Sequence, residues 1–393
     1  MQTQDFMTQT RMISRNNGFP APDVFLVALD VGYSAVKVFS PNGVGMFPSY
    51  AIPDSGLGFA GTLTDDYIRY EDLETGACWF VGKMAHDSLS DEDTSVSESS
   101  LYGRNRFTDP MFKVIAETGL GFACMRNAYG VSDGKTIYIE TGLPPRYISK
   151  GSQDREALID ALSGRHHFAL RIGQKPAVTF DLMVERGNVH VMAQPMGTLF
   201  SVAVGNDHAL VPDASNYFNK NVLLFDGGMG TLDLYPIKSH VIQKSETYDN
   251  LGMRRVLEET AAVIRERYRK DIPVPAMQKY LERGSFRWFD ARTIATRDEP
   301  LAEILFECSK KVCLEALAKL MQVYRLYEYD YLIVTGGTGE AWFDIINEYF
   351  KNMETLTIVR GSQNDDLPGV FANVRGYYMF RYSDIASRAG KSS

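Results

Sequence analysis

Asp226-Gly227-Gly228-Met229-Gly230-Thr231 sets one acid beside three glycines within six residues, a combination suited to holding phosphate. Glycines accept positive φ and let backbone come close to a ligand, so consecutive N–H groups can converge on an anion. An acid would repel a bare phosphate, but it becomes useful if Mg²⁺ lies between them. Val222–Phe225, before the turn, is an apolar run of strand length, and Leu232–Ile237 reads as a second strand. Two residues would close such a hairpin, so the extra glycines point to another purpose. By itself the stretch fits either a metal–nucleotide phosphate clamp or a glycine-rich hairpin that only joins two strands.

The same design occurs earlier in the chain. Val24–Leu29 is an apolar run ending in Asp30, Val31-Gly32-Tyr33-Ser34 turns, and Ala35–Phe39 alternates like a return strand. Lys37 follows Asp30 by seven residues; the turn breaks strand parity between them, and Lys37 is placed reaching back toward the phosphates. A third glycine site has a different layout. The strand Tyr331–Val334 runs through Thr335 into Gly336-Gly337-Thr338-Gly339 and a helix at Glu340–Phe350. Strand, glycines, helix is a layout that presents backbone N–H groups to a ligand at a helix start.

The elements around these sites mix strands and helices throughout, which predicts an α/β protein. Helical periodicity covers Thr108–Arg126, Gln153–Ser163, Leu251–Lys270 and Pro300–Tyr327, with a helical subdomain over Pro273–Arg292 and a C-terminal helix over Val370–Ser387. Gln194-Pro195-Met196-Gly197 precedes a short apolar helix at Thr198–Val204. With 393 residues, 45% hydrophobic and 23% charged, the chain has the composition of a soluble globular protein of two large lobes. A net charge of −8 gives no general attraction to nucleic acid or anionic membrane. No apolar run reaches the ~18 residues of a membrane span. The first 20 residues are polar and read as a loose tail, not a signal peptide. Cys78, Cys124, Cys308 and Cys313 are scattered without a CxxC pair, which fits a reduced, cytoplasmic setting, with Cys308 and Cys313 as packing residues of one helix. The Ser-rich acidic stretch Asp87–Ser100 reads as a mobile surface loop.

Three motifs invite assignments their context refuses. Gly56-Leu57-Gly58-Phe59-Ala60-Gly61 matches GxGxxG but follows Pro53-Asp54-Ser55 and precedes Thr62-Leu63-Thr64, with neither the strand nor the helix of a dinucleotide site. Gly134-Lys135-Thr136 resembles the end of a P-loop, yet position 129 is Tyr and the elements on either side are inverted. His166-His167 has no partner at ligand spacing and reads as an exposed pair.

Hairpin, hairpin and strand–glycines–helix, in that order, resemble the three nucleotide motifs of the actin, heat-shock chaperone and sugar-kinase superfamily. LDVGYSAVKVF (29–39) resembles the first phosphate motif, LFDGGMGTLDL (224–234) the second and LIVTGGTGEAW (332–342) the adenosine motif. Gln194-Pro195 matches the connecting motif, where actins carry Gln before the hydrolytic water. RNRFTDPMFKV, YIETGLPPRY and PGVFANVRGYYMF are similar to plasmid-segregation actins of the ParM/StbA type. Tyr33 departs from the small Ser that actins carry in the first turn. Gln194 departs from the acid frequent in ParM-type proteins.

The resemblance implies an actin-like fold of two ribonuclease-H-like lobes with a nucleotide cleft between them. It implies a tail at 1–22, a first lobe at 23–205 with an insertion near 41–103, a second lobe at 206–360 with a helical insertion near 251–300, and 361–393 as a C-terminal helix returning to the first lobe. It further implies ATP, or GTP, with Mg²⁺ held by Asp30 and Asp226. Gly32, Tyr33, Ser34, Lys37, Gly227, Gly228, Met229, Gly230 and Thr231 would surround the phosphates. Gly336, Gly337 and Thr338 would pack near the adenosine, and Gln194, with Asp226, would serve hydrolysis. The activity implied is an ATPase that forms head-to-tail filaments and serves plasmid partition through a DNA-binding adaptor, without direct contact to nucleic acid or membrane. A non-filamentous ATPase or small-molecule kinase of the same superfamily is the alternative; a chaperone-like ATPase would need an appended peptide-binding domain.

Overall fold

The structure is a computed structural model that describes residues 2–54, 64–87, 106–149 and 151–392. The glycine motif at 56–61 and the acidic stretch at 88–100 lie outside the described residues. The chain divides into two compact units. The first comprises described residues between Thr8 and Ala209 and the C-terminal segment from Asn373; the second comprises the N-terminal residues through Met7 and Leu210–Ala372.

In the first unit the strands are β1 (Arg11–Ser14), β2 (Val24–Val31), β3 (Ala35–Ser40), β4 (Gly43–Pro48), β5 (Ala51–Pro53), β6 (Ile68–Asp72), β7 (Cys78–Val81), β8 (Thr136–Leu143), β9 (Gly164–Ile172), β10 (Val178–Val184) and β11 (Val189–Ala193). Its helices are α1 (Lys83–Asp87), α2 (Pro110–Cys124), α3 (Gln153–Leu162) and α4 (Gln194–Ala203), and α10 (Ala372–Ser392) joins it at the C-terminus. The main sheet has the order β1-β4-β3-β2-β8-β11. All eight residues of β2 are buried, as expected for a central strand covered on both faces. Asp109 starts α2 by accepting from the Met111 N–H at 2.8 Å, and Pro110 supplies a first turn whose N–H is not needed. A second sheet, β10-β9-β6-β7-β5, completes the unit.

In the second unit the strands are β12 (Val222–Gly227), β13 (Leu232–Lys238), β14 (Val241–Ile242), β15 (Glu246–Tyr248), β16 (Ser285–Asp290), β17 (Ala295–Pro300), β18 (Tyr331–Thr335) and β19 (Thr357–Arg360). The helices are α5 (Ala214–Asn219), α6 (Met253–Tyr268), α7 (Met277–Arg283), α8 (Ala302–Val323) and α9 (Gly336–Tyr349). The sheet order β14-β13-β12-β18-β19 repeats β4-β3-β2-β8-β11 of the first unit. In both, three antiparallel strands are followed by two parallel to the central one. The fully buried Trp342 ties α9 to α8, its indole N–H donating to Ser309 Oγ at 3.0 Å. Cys308 and Cys313 are buried on α8, as packing residues should be.

Three expectations change. The N-terminal residues are structured, not a loose tail. Thr3–Phe6 forms a 3₁₀ turn on the second unit, with Thr3 Oγ1 donating to the Leu281 carbonyl at 2.8 Å and Gln4 Nε2 to that of Glu282 at 2.9 Å. Phe6 is buried, its ring 5.8 Å from that of Phe306, so one anchor and two hydrogen bonds order a segment whose composition is polar. Arg11–Ser14 then pairs antiparallel with β4. Within the expected helical subdomain, residues 285–300 form a β-hairpin, because Ser-Phe-Arg-Trp-Phe alternates with a strand period and pairs with Ala295–Pro300. His166 is buried in β9 rather than exposed: Nδ1 lies 3.0 Å from Glu117 Oε1 and Nε2 3.2 Å from the Leu162 carbonyl. Tyr70 donates to the other oxygen of the same carboxylate.

Phe6→Ala should lower unfolding free energy by about 3 kcal/mol, the lower end of the cost of emptying a buried Phe site. Denaturant unfolding with hydrogen exchange over 277–283 checks this; unchanged stability and protection would mean the segment is not anchored.

Candidate functional site

In the first unit β2, β8 and β11 run parallel, so their C-terminal ends share one edge of the sheet. Asp30 lies at the end of β2, and Gln194 directly follows Ala193 at the end of β11. Loops at the carboxyl ends of parallel strands are where open α/β sheets bind ligands. Lys37 is the cross-strand neighbour of Asp30, and its Nζ lies 2.9 Å from Asp30 Oδ2, with both side chains largely buried. The turn Gly32–Ser34 is closed by Gly32 N–H donating to the Ala35 carbonyl at 3.1 Å, while the Ser34 carbonyl accepts from Ser49 at 2.9 Å. Tyr33 stands at the tip, 39% exposed. One residue at this turn was not anticipated as a site residue. Arg106 Nη2 donates to the Val31 carbonyl at 3.0 Å, and its guanidinium lies 4.8 Å from the centre of the Tyr33 ring. Burial lowers the pKa of that guanidinium, against the opposing pull of Tyr33 and Asp30. Only the string RNRF pointed there, since nothing local in the sequence places position 106 beside position 31.

Gln194 is the first residue of α4, with Pro195 in the opening turn. Its position is set by close packing of α4 on α10: a β-carbon on Gly376 would overlap the Gly197 carbonyl. Arg375 locks the far end, donating to the carbonyls of Ser201 at 2.7 Å and Val204 at 2.9 Å. The Gln194 side chain has no hydrogen-bond partner among the described residues, so its amide is available to a ligand or water.

The second unit builds its counterpart from three elements. Asp226 is the cross-strand neighbour of Asp233 and the parallel neighbour of Thr335, which places the ends of β12 and β18 side by side. Gly336 has φ +80°, and a β-carbon there would overlap the Gly227 carbonyl and lie 2.6 Å from Asp226 Oδ1. Thr338 Oγ1 donates to the Gly228 carbonyl at 2.7 Å. From the other side α6 presses in: the N–H groups of Met253 and Arg254 donate to the carbonyls of Gly228 and Met229 at 3.2 and 2.8 Å. Gly252, with no room for a β-carbon beside Met229, permits that approach. The turn closes with Gly228 N–H donating to the Thr231 carbonyl at 2.8 Å. Its carbonyls at Gly228 and Met229 are thereby engaged by the two helix starts. Met229, Gly230 and Thr231 are left with three consecutive N–H groups that donate to nothing among the described residues. Thr231 Oγ1 and Thr247 Oγ1 instead hold Asp233, at 2.8 and 2.6 Å.

These residues suit a phosphorylated ligand. Consecutive free N–H groups form a concave donor surface for an anion. The start of α9 adds unsatisfied donors and positive dipole, with neither a side-chain cap nor an acid in its first turn. Thr335 Oγ1 is buried there without a partner. Asp226 and Asp30 stand at the strand ends beside these turns and carry the carboxylate oxygen that Mg²⁺ requires. Lys37 holds one oxygen of Asp30. No group of three or more His, Cys, Asp or Glu is placed to hold a metal among the described residues. The helix was legible at Leu251–Lys270, but not that its start at Gly252–Arg254 packs on this turn; the signal was a glycine immediately before an amphipathic helix.

Comparison with known proteins follows this geometry. Residues 28–197 match a family model described as the N-terminal domain of actin like proteins. Among solved structures, a 15-stranded ParM filament from Clostridium botulinum aligns with a TM-score of 0.66 and 19% identity, covering 92% of this chain and 99% of that one. The actin-like protein Alp7A aligns with a TM-score of 0.64 and 14% identity, covering 94% and 99%. A Bacillus thuringiensis ParM hybrid with ADP, containing two ParM mutants, aligns with a TM-score of 0.62 and 16% identity, covering 93% of this chain and 49% of the hybrid. A search of curated protein sequences finds no match. The fold is actin-like.

Gly336→Ala should destabilise the protein by at least about 1–2 kcal/mol, the cost of a left-handed conformation for a residue with a β-carbon, and more from the overlap with Gly227. Gly337→Ala, whose β-carbon would meet only Val370 at 3.7 Å, should be far milder. Denaturant unfolding of the two variants side by side checks this; equal effects would contradict the close approach.

Proposed function

With an actin-like fold, and an actin-like N-terminal domain matched over residues 28–197, we propose that this chain is a Mg²⁺-dependent ATPase that assembles head to tail into filaments. The observation that carries the reading is the run of free N–H groups at Met229–Thr231, beside Asp226 and at the C-terminal end of a parallel strand. Gly227–Thr231 and Gly32–Ser34 serve as its phosphate-binding turns, with Gly336–Thr338 near the adenosine. Bound Mg²⁺ would neutralise phosphate charge, held by Asp226 directly or through water and by Asp30 through water. Lys37, paired with Asp30 at 2.9 Å, fixes the orientation of that carboxylate. Gln194 orients a water for in-line attack on the γ-phosphorus, whose bond to the ADP oxygen breaks. Such chemistry depends mostly on positioning and electrostatics, which rigid turns and an anchored helix start provide.

The same reading extends to assembly and cellular role. A filament needs a heterologous contact, one surface meeting a different surface on the next subunit without closing a ring. The likeness to the ParM filament supports self-assembly; a role in plasmid segregation through a DNA-binding adaptor, in the cytoplasm, is the cellular part of the same proposal. Net charge of −8 agrees with DNA being reached through a partner. No described helix is long and apolar enough to cross a membrane.

Asp226→Ala should remove Mg²⁺-dependent ATP turnover while the protein stays folded; an unchanged rate in the folded variant would sink the site. Gln194→Ala should bind ATP normally and hydrolyse it more slowly, by up to ~10²-fold for loss of one positioning group. Single-turnover kinetics separates this from a binding defect. Light scattering should rise above a threshold protein concentration after Mg-ATP is added, decay as ATP is consumed, and persist longer with Gln194→Ala. A protein that hydrolyses ATP yet stays monomeric at high concentration would exclude the filament.

A further inference from the structure

We propose that Arg106 is a phosphate ligand of the turn Gly32–Ser34, an inference that rests on the nucleotide reading above and adds a cation to it. The side chain is fixed from both ends. Its backbone opens the 3₁₀ turn Arg106–Thr108, and the neighbouring Phe107 is buried edge-on against Phe112, ring centres 5.1 Å apart. The guanidinium packs on Tyr33 at 4.8 Å and on Phe107 at 5.0 Å, and one nitrogen donates to the Val31 carbonyl at 3.0 Å. A guanidinium carries five N–H donors, so one carbonyl leaves most of them unused.

Charge around the turn is unbalanced. Asp30 and Lys37 neutralise each other in an ion pair of 2.9 Å. Arg106 has no carboxylate partner among the described residues, so the turn keeps its positive charge. Holding a half-buried guanidinium with no counter-ion among the described residues is unfavourable. Aromatic faces offset part of that cost, and the lowered pKa shows that a cost remains. A phosphate at the turn would supply the missing anion, and the planar fork can bind two of its oxygens at once. Val31 and Tyr33 hold the fork beside the turn, where it would meet charge on the polyphosphate and not the nucleoside.

Calorimetric titration of wild type, Arg106→Ala and Arg106→Lys with ATP, ADP and adenosine tests this. Arg106→Ala should weaken ATP and ADP roughly 10- to 100-fold, the scale of a hydrogen bond to a charged group, and leave adenosine unchanged. Arg106→Lys should recover part of the loss, since it restores charge without the fork. A folded Arg106→Ala with wild-type affinity for ATP would overturn the proposal, as would equal losses for ATP and adenosine, the mark of a residue that only braces the turn. If Arg106→Ala does not fold, the same comparison of ATP with adenosine in Arg106→Lys decides. A wild-type protein that binds no nucleotide would overturn the nucleotide reading itself. Binding that is insensitive to Arg106 would overturn only this inference.

Discussion

The approach of Gly336 to Gly227, closer than any β-carbon allows, governs the second unit's site. Parallel pairing of Asp226 with Thr335 brings the two strand ends level, and a left-handed glycine then starts α9 directly over the neighbouring turn. With α9 on one side and the start of α6 on the other, the turn's carbonyls at Gly228 and Met229 are taken up by Thr338, Met253 and Arg254. The N–H groups of Met229, Gly230 and Thr231 donate to nothing among the described residues. A preference for an anion at those donors follows from the carbonyls the helices consume at Gly228 and Met229, before any charged side chain is counted.

The first unit reaches a similar end by different means. Its sheet has the same order, and Asp30 occupies the strand end as Asp226 does. There the carboxylate is paired with Lys37, and a second cation, Arg106, leans on the turn from outside. One unit presents backbone donors at its turn, the other side-chain cations. A repeated fold has thus been given two complementary ways of meeting negative charge. Close contact of Gly376 with Gly197 adds a rigid base for Gln194, which stands at the same edge of the first sheet.

Much of this was legible in the chain because the signals are local. Apolar runs ending in Asp30 and Asp226, and glycines following at once, report strand, acid and turn within a dozen residues. The strand–glycine–helix at Tyr331–Tyr349 is equally self-contained. What was hidden depends on distant partners. Phe6 is a single apolar residue in a polar segment, and only Phe306 and the carbonyls of Leu281 and Glu282 show that it is anchored. His166 looks like a polar surface pair until Glu117, 49 residues away, is brought to it. Residues 285–300 were assigned to a helical subdomain because helix signals precede them, although the alternation Phe286-Arg287-Trp288 was visible. Arg106 reaches the turn across 75 residues, and no spacing rule covers that distance.

The central claim is that these glycine turns bind the phosphates of a nucleotide. Amide hydrogen exchange of the whole protein with and without Mg-ATP tests it most directly. The account predicts new protection concentrated at 30–37, 226–231 and 336–339, where free or weakly held N–H groups would become donors to phosphate. Saturating Mg-ATP that leaves those three stretches unchanged, or that protects other segments instead, would contradict it.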